Sequence, residues 1–176
     1  MIQVRTTTVD ATRELAAAVA GLSQDGDLLL LAGDLGAGKT AFAQGFGRGL
    51  GVDEPITSPT FTIARQYEGR LVLHHLDVYR LEHLSEVFDL GLAELLDDRT
   101  VVLIEWGDTI APALPADYLE VRISFGTSDE RVGDHRADDH RADDHRTLTV
   151  RSVGPRWAGR IQALTEALAP WADRPC

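Results

Sequence analysis

The chain has 176 residues, enough for one domain, and its 44% of hydrophobic residues can bury a sizeable core. Its net charge of −11, from 28 acidic and 17 basic residues, disfavours direct binding to nucleic acid and favours proteins or small molecules as partners. The sequence has no apolar run near the ~20 residues of a membrane span and no apolar signal segment at its start, so we expect no membrane partner. Cys176 is its one cysteine, so we expect no internal disulfide and a cytoplasmic location.

The first half of the chain alternates predicted strands and helices. Residues 2–7 alternate apolar and polar side chains, which predicts a strand. Residues 10–22 predict a helix that Asp10 caps. The continuous apolar run at 27–32 is typical of a strand that is buried on both faces.

A second helix is predicted after this buried strand, because apolar residues recur there at helical spacing. These residues are Phe42, Phe46 and Leu50. Glycines at positions 45, 47 and 49 weaken such a helix by roughly 1 kcal/mol each. We therefore expect the helix to depend on packing against its neighbours.

The second half of the chain contains two candidate hairpins. Segment 61–77 predicts two strands joined by a tight turn at Glu68 and Gly69. Residues 84–98 predict a helix, and residues 100–106 predict another buried strand.

The last part of the sequence completes an α/β pattern. Segments 118–125 and 146–152 alternate and can pair as a hairpin, and residues 155–169 predict a helix. Alternating buried strands and helices predict an α/β layer fold, and the hairpins make its sheet mixed rather than purely parallel. We expect one domain spanning 1–176, with a repeat-containing loop at about 126–146.

A tandem five-residue repeat, "DHRADDHRADDHR", occupies residues 134–146. It contains His135, His140 and His145, and both Asp and His are possible metal ligands. A five-residue spacing within a loop fixes no coordination geometry. We therefore favour a duplicated, solvated loop over a metal site.

The strongest motif surrounds Lys39, the only lysine among the 17 basic residues. It fits the phosphate-binding loop G-x-x-x-x-G-K-[ST] and consists of Gly33, Asp34, Leu35, Gly36, Ala37, Gly38, Lys39 and Thr40. It lies between a buried strand and a helix, as the motif requires. The sequence therefore predicts a P-loop NTPase-like fold, with a mixed sheet flanked by helices.

This motif has a specific physical basis. Its glycines permit positive φ values and close approach of the backbone to a polyphosphate, whose charge the helix N-terminus stabilises. Lys39 supplies a compact charge that the larger, planar guanidinium of arginine cannot replace, and Thr40 offers a hydroxyl to Mg²⁺. Because the chain has no asparagine and no second lysine for an Asn-Lys-x-Asp guanine motif, we expect ATP rather than GTP.

Two carboxylates end predicted strands and are candidates for catalysis and for binding Mg²⁺. Asp77 ends "LVLHHLD" and Glu105 ends "VVLIE". Strand ends in an α/β sheet gather at the ligand crevice, so one acid can serve the metal while the other orients the attacking water. Thr60, in the loop "TSPTF", is a candidate contact to the metal or the water.

Four motifs together resemble one family. "GDLGAGKT", "SPTF", "HHLDVYRL" and "IEW" are similar in order and spacing to the TsaE (YjeE) family of small bacterial ATPases. The resemblance covers most of the chain. It implies a P-loop ATPase that hydrolyses Mg-ATP so that the TsaB–TsaD complex can turn over in threonylcarbamoyladenosine modification of tRNA. The tRNA would be contacted only through those partners.

The resemblance also implies roles for individual residues. Lys39 and Thr40 would hold the phosphates and Mg²⁺, and Glu105 would be the carboxylate on the metal side. Asp77 would be important for hydrolysis, and Thr60 would belong to a switch-like loop. Nucleotide contacts outside the phosphate loop would come from Trp106, Arg146 and Thr8. Ala41 departs from the family pattern, in which threonine is usual.

Two other functions compete with this interpretation. A small-molecule kinase would carry an arginine-rich lid, but the repeat holds more acids than arginines, which suits phosphate poorly. A regulatory module would act through its nucleotide-bound state rather than through turnover.

Overall fold

A seven-stranded mixed sheet organises the structure, a computed structural model that describes residues 1–59, 62–80, 95–96, 99–126 and 145–172. The strands are β1 (Ile2–Thr6), β2 (Asp27–Ala32), β3 (Ala64–Tyr67), β4 (Val72–Asp77), β5 (Thr100–Glu105), β6 (Tyr118–Phe125) and β7 (Arg146–Val153). The helices are α1 (Val9–Gly21), α2 (Lys39–Gly49), α3 (Pro155–Ala158) and α4 (Ile161–Leu168). The strand order is β1-β7-β6-β2-β5-β4-β3, and the prediction of a mixed α/β sheet is confirmed.

The centre of the sheet is parallel and brings the important strand ends together. Strand β2 runs parallel to both β5 and β6, and β4 runs parallel to β5. All residues of β2 and β5 are buried, as their apolar runs predicted. In this register Asp77 pairs with Glu105, and Glu105 pairs with Leu31 just before the phosphate loop. The fold therefore places both candidate carboxylates beside the predicted nucleotide site.

The start of α1 differs from the prediction. Thr8, not Asp10, is the N-cap, because its extended backbone lets its hydroxyl accept a hydrogen bond from the Ala11 N–H at 3.0 Å. Asp10 already lies in the first turn, where its carboxylate is 2.8 Å from the Arg13 guanidinium.

The hairpin of β3 and β4 also differs from the prediction in its turn. Tyr67 pairs with Leu73, and residues 68–71 connect the two strands, so the prediction of a two-residue turn at Glu68 and Gly69 is wrong. This connection folds back onto the end of α2, where the Arg70 N–H donates to the Leu50 carbonyl at 2.8 Å. The connection is therefore held by this contact with the end of α2 rather than by a tight local turn.

The predicted C-terminal helix is divided into α3 and α4. Arg160 interrupts it with a non-helical backbone, and its guanidinium holds the buried carboxylate of Asp27 with hydrogen bonds of 2.6 and 2.7 Å. A buried charge needs such a partner, and this ion pair is formed at the point where the helix is interrupted.

Two predicted segments fall outside the described residues. The helix at 84–98 lies there except for Leu95 and Leu96, and the repeat at 134–146 lies there except for its last two residues. The single-domain organisation remains a prediction. Every helix within the described ranges is too short or too polar to cross a bilayer.

The glycines of α2 allow α1 and the neighbouring loop to approach closely. A Cβ atom on Gly45 would lie 2.1 Å from the carbonyl oxygen of Arg13 in α1, and one on Gly47 would lie 2.0 Å from Cδ1 of Ile56. Their small size therefore compensates for their poor helix propensity.

We predict that Gly45→Ala lowers the free energy of unfolding by about 3 kcal/mol, because the added methyl group meets backbone that cannot turn aside. Helix propensity alone would give a gain of about 1 kcal/mol. Urea denaturation measures the difference. Gly21→Ala is the matched control, since a Cβ added there would meet no neighbouring atom of the described residues within 4 Å and a neutral or stabilising effect is expected. Equal stability of the Gly45 variant and the wild type would contradict this packing.

Candidate nucleotide-binding site

The phosphate-binding loop connects β2 to α2, as predicted. Its glycines adopt positive φ angles of 136° at Gly33, 78° at Gly36 and 112° at Gly38. A Cβ on Gly33 would lie 2.1 Å from the Ile123 carbonyl oxygen, so glycine is required there by space as well as by conformation. The loop therefore has the backbone of an anion cradle.

Lys39 is the first residue of α2, at the end of this loop, and is only 5% exposed. Its Nζ donates to the carbonyl oxygens of Gly33 and Asp34, both at 2.8 Å, and lies 3.5 Å from the centroid of the Trp106 ring. Burial lowers the pKa of Lys39 from its usual value, while the nearby charge of Glu105 acts in the opposite direction. The site thus holds a partly desolvated ammonium that can pair with the oxygens of a polyanion.

Thr40 and Glu105 meet at the start of α2. The Thr40 hydroxyl donates to Oε2 of Glu105 at 3.1 Å, and Glu105 is 3% exposed. The other carboxylate oxygen, Oε1, lies 2.9 Å from Nε2 of His75. The sequence interpretation did not include His75, although it stands two positions before Asp77 and strand alternation places both side chains on one face.

Asp77 lies beside Glu105 on the neighbouring strand. Its Oδ2 accepts a hydrogen bond from the Ser58 hydroxyl at 2.8 Å, and its Oδ1 accepts one from the Tyr79 N–H at 3.1 Å. Ser58 belongs to the "TSPTF" loop, so that loop does reach the site. Thr60, the residue predicted from it, lies outside the described residues.

A cleft of about 300 Å³ is lined by polar side chains of Lys39, Thr40, Ser58, Asp77 and Glu105. Tyr79 and Trp106, whose ring centroids are 4.8 Å apart, line it as well. Trp106 has a left-handed backbone, with φ of 63°, and covers the Lys39 ammonium. A larger cleft of about 430 Å³ lies near Arg13 and Arg48 but contains none of the predicted site residues. The chemistry therefore points to the smaller cleft.

Arg146 contacts the phosphate loop, and neither Arg146 nor Thr8 lines the cleft. The Arg146 Nε donates to the Ala37 carbonyl at 3.0 Å, and its guanidinium lies 4.6 Å from the Phe125 ring centroid. Thr8 follows β1, where Thr6 pairs with Arg146, and its hydroxyl caps α1. The contacts of Arg146 and Thr8 with the nucleotide remain predictions.

The oxygen atoms of the site fit Mg²⁺. No group of three or more acidic, histidine or cysteine side chains forms a metal cage among the described residues. Instead the Thr40 hydroxyl lies against one carboxylate, that of Glu105, beside the phosphate loop. Mg²⁺ in nucleotide sites is typically held by few protein oxygens together with phosphates and water.

A parallel sheet core, a glycine-rich loop that leads into a helix, and a buried lysine within that loop define a P-loop NTPase-like fold. The model of one family, "Threonylcarbamoyl adenosine biosynthesis protein TsaE", matches residues 6–133, and the chain belongs to this family. The resemblance seen in the sequence is confirmed.

Individual relatives agree with this assignment. The chain is 45% identical over 128 residues to the tRNA threonylcarbamoyladenosine biosynthesis protein TsaE of Bacillus subtilis, covering 72% of this chain and 80% of that protein. It is 43% identical over 150 residues to the protein of the same name from Streptomyces coelicolor, covering 83% and 93%. A crystal structure of Bacillus subtilis YdiB is similar, with a TM-score of 0.70, 36% identity and 94% of both chains covered.

Proposed function

We propose that this protein is a cytoplasmic ATPase that hydrolyses Mg-ATP to support turnover of the TsaB–TsaD complex in threonylcarbamoyladenosine modification of tRNA. The observation that carries the proposal is the grouping of Lys39, Thr40 and Glu105 around one glycine-rich loop. The names of the relatives support the pathway. The net charge of −11 supports contact with tRNA only through partner proteins.

Different residues of the chain would bind different parts of Mg-ATP. Lys39 exchanges its carbonyl partners for phosphate oxygens, and the loop amides and the N-terminus of α2 stabilise the remaining negative charge. Thr40 and Glu105 would hold Mg²⁺, which neutralises charge on the phosphates when it is bound. Trp106, Arg146 and Thr8 would complete the nucleotide contacts outside the loop.

Asp77 is assigned to hydrolysis. An ionised carboxylate can accept a hydrogen bond from an attacking water and orient it. The Ser58 and Tyr79 hydrogen bonds hold this carboxylate in place on the strand next to Glu105. Thr60, two residues after Ser58, is retained as a proposed switch contact.

An ATPase assay with and without TsaB–TsaD tests the proposal. We expect slow hydrolysis by the chain alone and a rate at least about tenfold higher with the complex, since a partner that completes a catalytic site can add a factor of this size or more. An unchanged rate together with undetectable binding would contradict the function.

Two further measurements separate the alternatives. Transfer of phosphate to a metabolite rather than to water would identify a kinase. Normal support of the partner complex by a hydrolysis-dead Asp77→Ala variant would identify a regulatory module.

A further inference from the structure

His75 is a fully buried polar residue beside the nucleotide site, with 0% exposure. It lies on β4 opposite Leu103 of β5, on the same face as Asp77. Its neighbour His74 points to the other face of the sheet and is only half-buried. The two adjacent histidines of β4 therefore meet different surroundings.

The imidazole of His75 makes one polar contact among the described residues. Its Nε2 lies 2.9 Å from Oε1 of Glu105, and since a carboxylate oxygen only accepts, Nε2 is the donor. Its Nδ1 has no hydrogen-bond partner in the described part of the chain. Buried polar atoms in native structures usually have a hydrogen-bond partner, so a histidine at this position calls for an explanation.

The Glu105 carboxylate is held at both oxygens. Oε1 faces His75, and Oε2 accepts from the Thr40 hydroxyl at 3.1 Å. Without the donor on His75, the carboxylate could rotate about its last torsion, which is broad for glutamate. The His75 bond therefore selects the orientation in which Oε2 faces α2 and the phosphate loop.

We propose that His75 is a positioning residue that fixes the Glu105 carboxylate and thereby sets the affinity of the site for Mg-nucleotide. The expected effect on Mg-nucleotide affinity rests on the proposed function. The expected effect on the orientation of the Glu105 carboxylate does not. Outer-shell partners that orient a ligand typically change metal affinity by about 10–100-fold when they are replaced.

Two amide variants of His75 test whether a donor at the position of Nε2 is needed to hold the Glu105 carboxylate. In His75→Gln the side-chain amide nitrogen can occupy the place of Nε2. In His75→Asn the side chain is shorter, and its amide nitrogen coincides with Nδ1. We expect H75N to lower ADP affinity in Mg²⁺ at least about tenfold while leaving affinity in EDTA unchanged. H75Q should stay within about threefold of wild type under both conditions. Titration calorimetry measures all four affinities, and His74→Gln is the control on the same strand.

Crystal structures of H75N and H75Q give a readout that does not depend on nucleotide. The Thr40–Glu105 hydrogen bond should be lost or the carboxylate displaced in H75N, and kept in H75Q. An unmoved Glu105 in H75N would overturn the proposal. So would equal losses of ADP affinity with and without Mg²⁺, because these indicate general damage to the site.

His75→Leu serves as a second variant without a donor if H75N does not fold. Failure of both to fold, beside a folded H75Q, would assign His75 to the fold and overturn the positioning role. A wild-type protein without Mg-dependent ADP binding would instead contradict the proposed function. In that case the Glu105 orientation in the crystal structures still decides the role of His75.

Discussion

Lys39→Ala is expected to lower the affinity for ATP at least about a hundredfold. The Lys39 ammonium lies between two loop carbonyls, at 2.8 Å from each, and is poised to bond phosphate oxygens. A hydrogen bond to a charged group contributes about 1.5–3 kcal/mol, so loss of two such bonds costs about 3–6 kcal/mol. Because 1.4 kcal/mol corresponds to a factor of ten, titration calorimetry should detect little or no binding.

The fold should survive this change. Burial lowers the pKa of Lys39, which means that the surroundings disfavour its charge in spite of Glu105. Removing the ammonium removes a desolvation cost that offsets the loss of its two hydrogen bonds to the loop carbonyls, so we expect only a small shift in the melting temperature. Circular dichroism measures both the helix content and the melting temperature.

Two further variants control for charge and shape. Arg48→Ala removes one positive charge from an exposed position on the same helix and should leave ATP affinity close to wild type. Lys39→Arg keeps the charge but should still lose most of the binding, because the planar guanidinium does not fit between the carbonyls and the Trp106 ring. Near-normal affinity of Lys39→Ala would contradict the cradle model.

Features set by contiguous residues were predictable from the sequence. The phosphate loop is one unbroken motif whose glycines, lysine and threonine each have a local physical requirement. The buried strands β2 and β5 were equally evident, because an apolar run carries its own burial signal. Their parallel pairing then placed Glu105 beside Thr40, in agreement with the general rule for strand ends.

Features set by distant residues were not predictable. His75 meets Glu105 only because of the register between β4 and β5, which no local pattern specifies. The ion pair at the helix break joins Arg160 to Asp27, which is 133 positions away in the chain. In both cases a buried polar group found its partner through tertiary structure.

The roles of the two strand-end acids can be separated by the magnesium dependence of binding. We expect Glu105→Ala to weaken the Mg²⁺-dependent part of nucleotide affinity at least about tenfold, because its carboxylate lies against the Thr40 hydroxyl. Asp77→Ala should leave this part nearly unchanged and lower the hydrolysis rate about a hundredfold or more, as expected when a group that orients or deprotonates water is lost. Calorimetry with and without Mg²⁺ and single-turnover hydrolysis provide the two measurements.

Glu105→Gln is the control that removes charge while keeping shape. Its amide oxygen can accept from His75 and its amide nitrogen can donate to the Thr40 hydroxyl, so both hydrogen bonds survive. Glu105→Ala leaves the buried His75 donor unpaired and should also lower the melting temperature, whereas Glu105→Gln should not. Loss of Mg²⁺ dependence in both variants would assign the effect to the negative charge. A larger loss of Mg²⁺ dependence in Asp77→Ala than in Glu105→Ala would exchange the two roles.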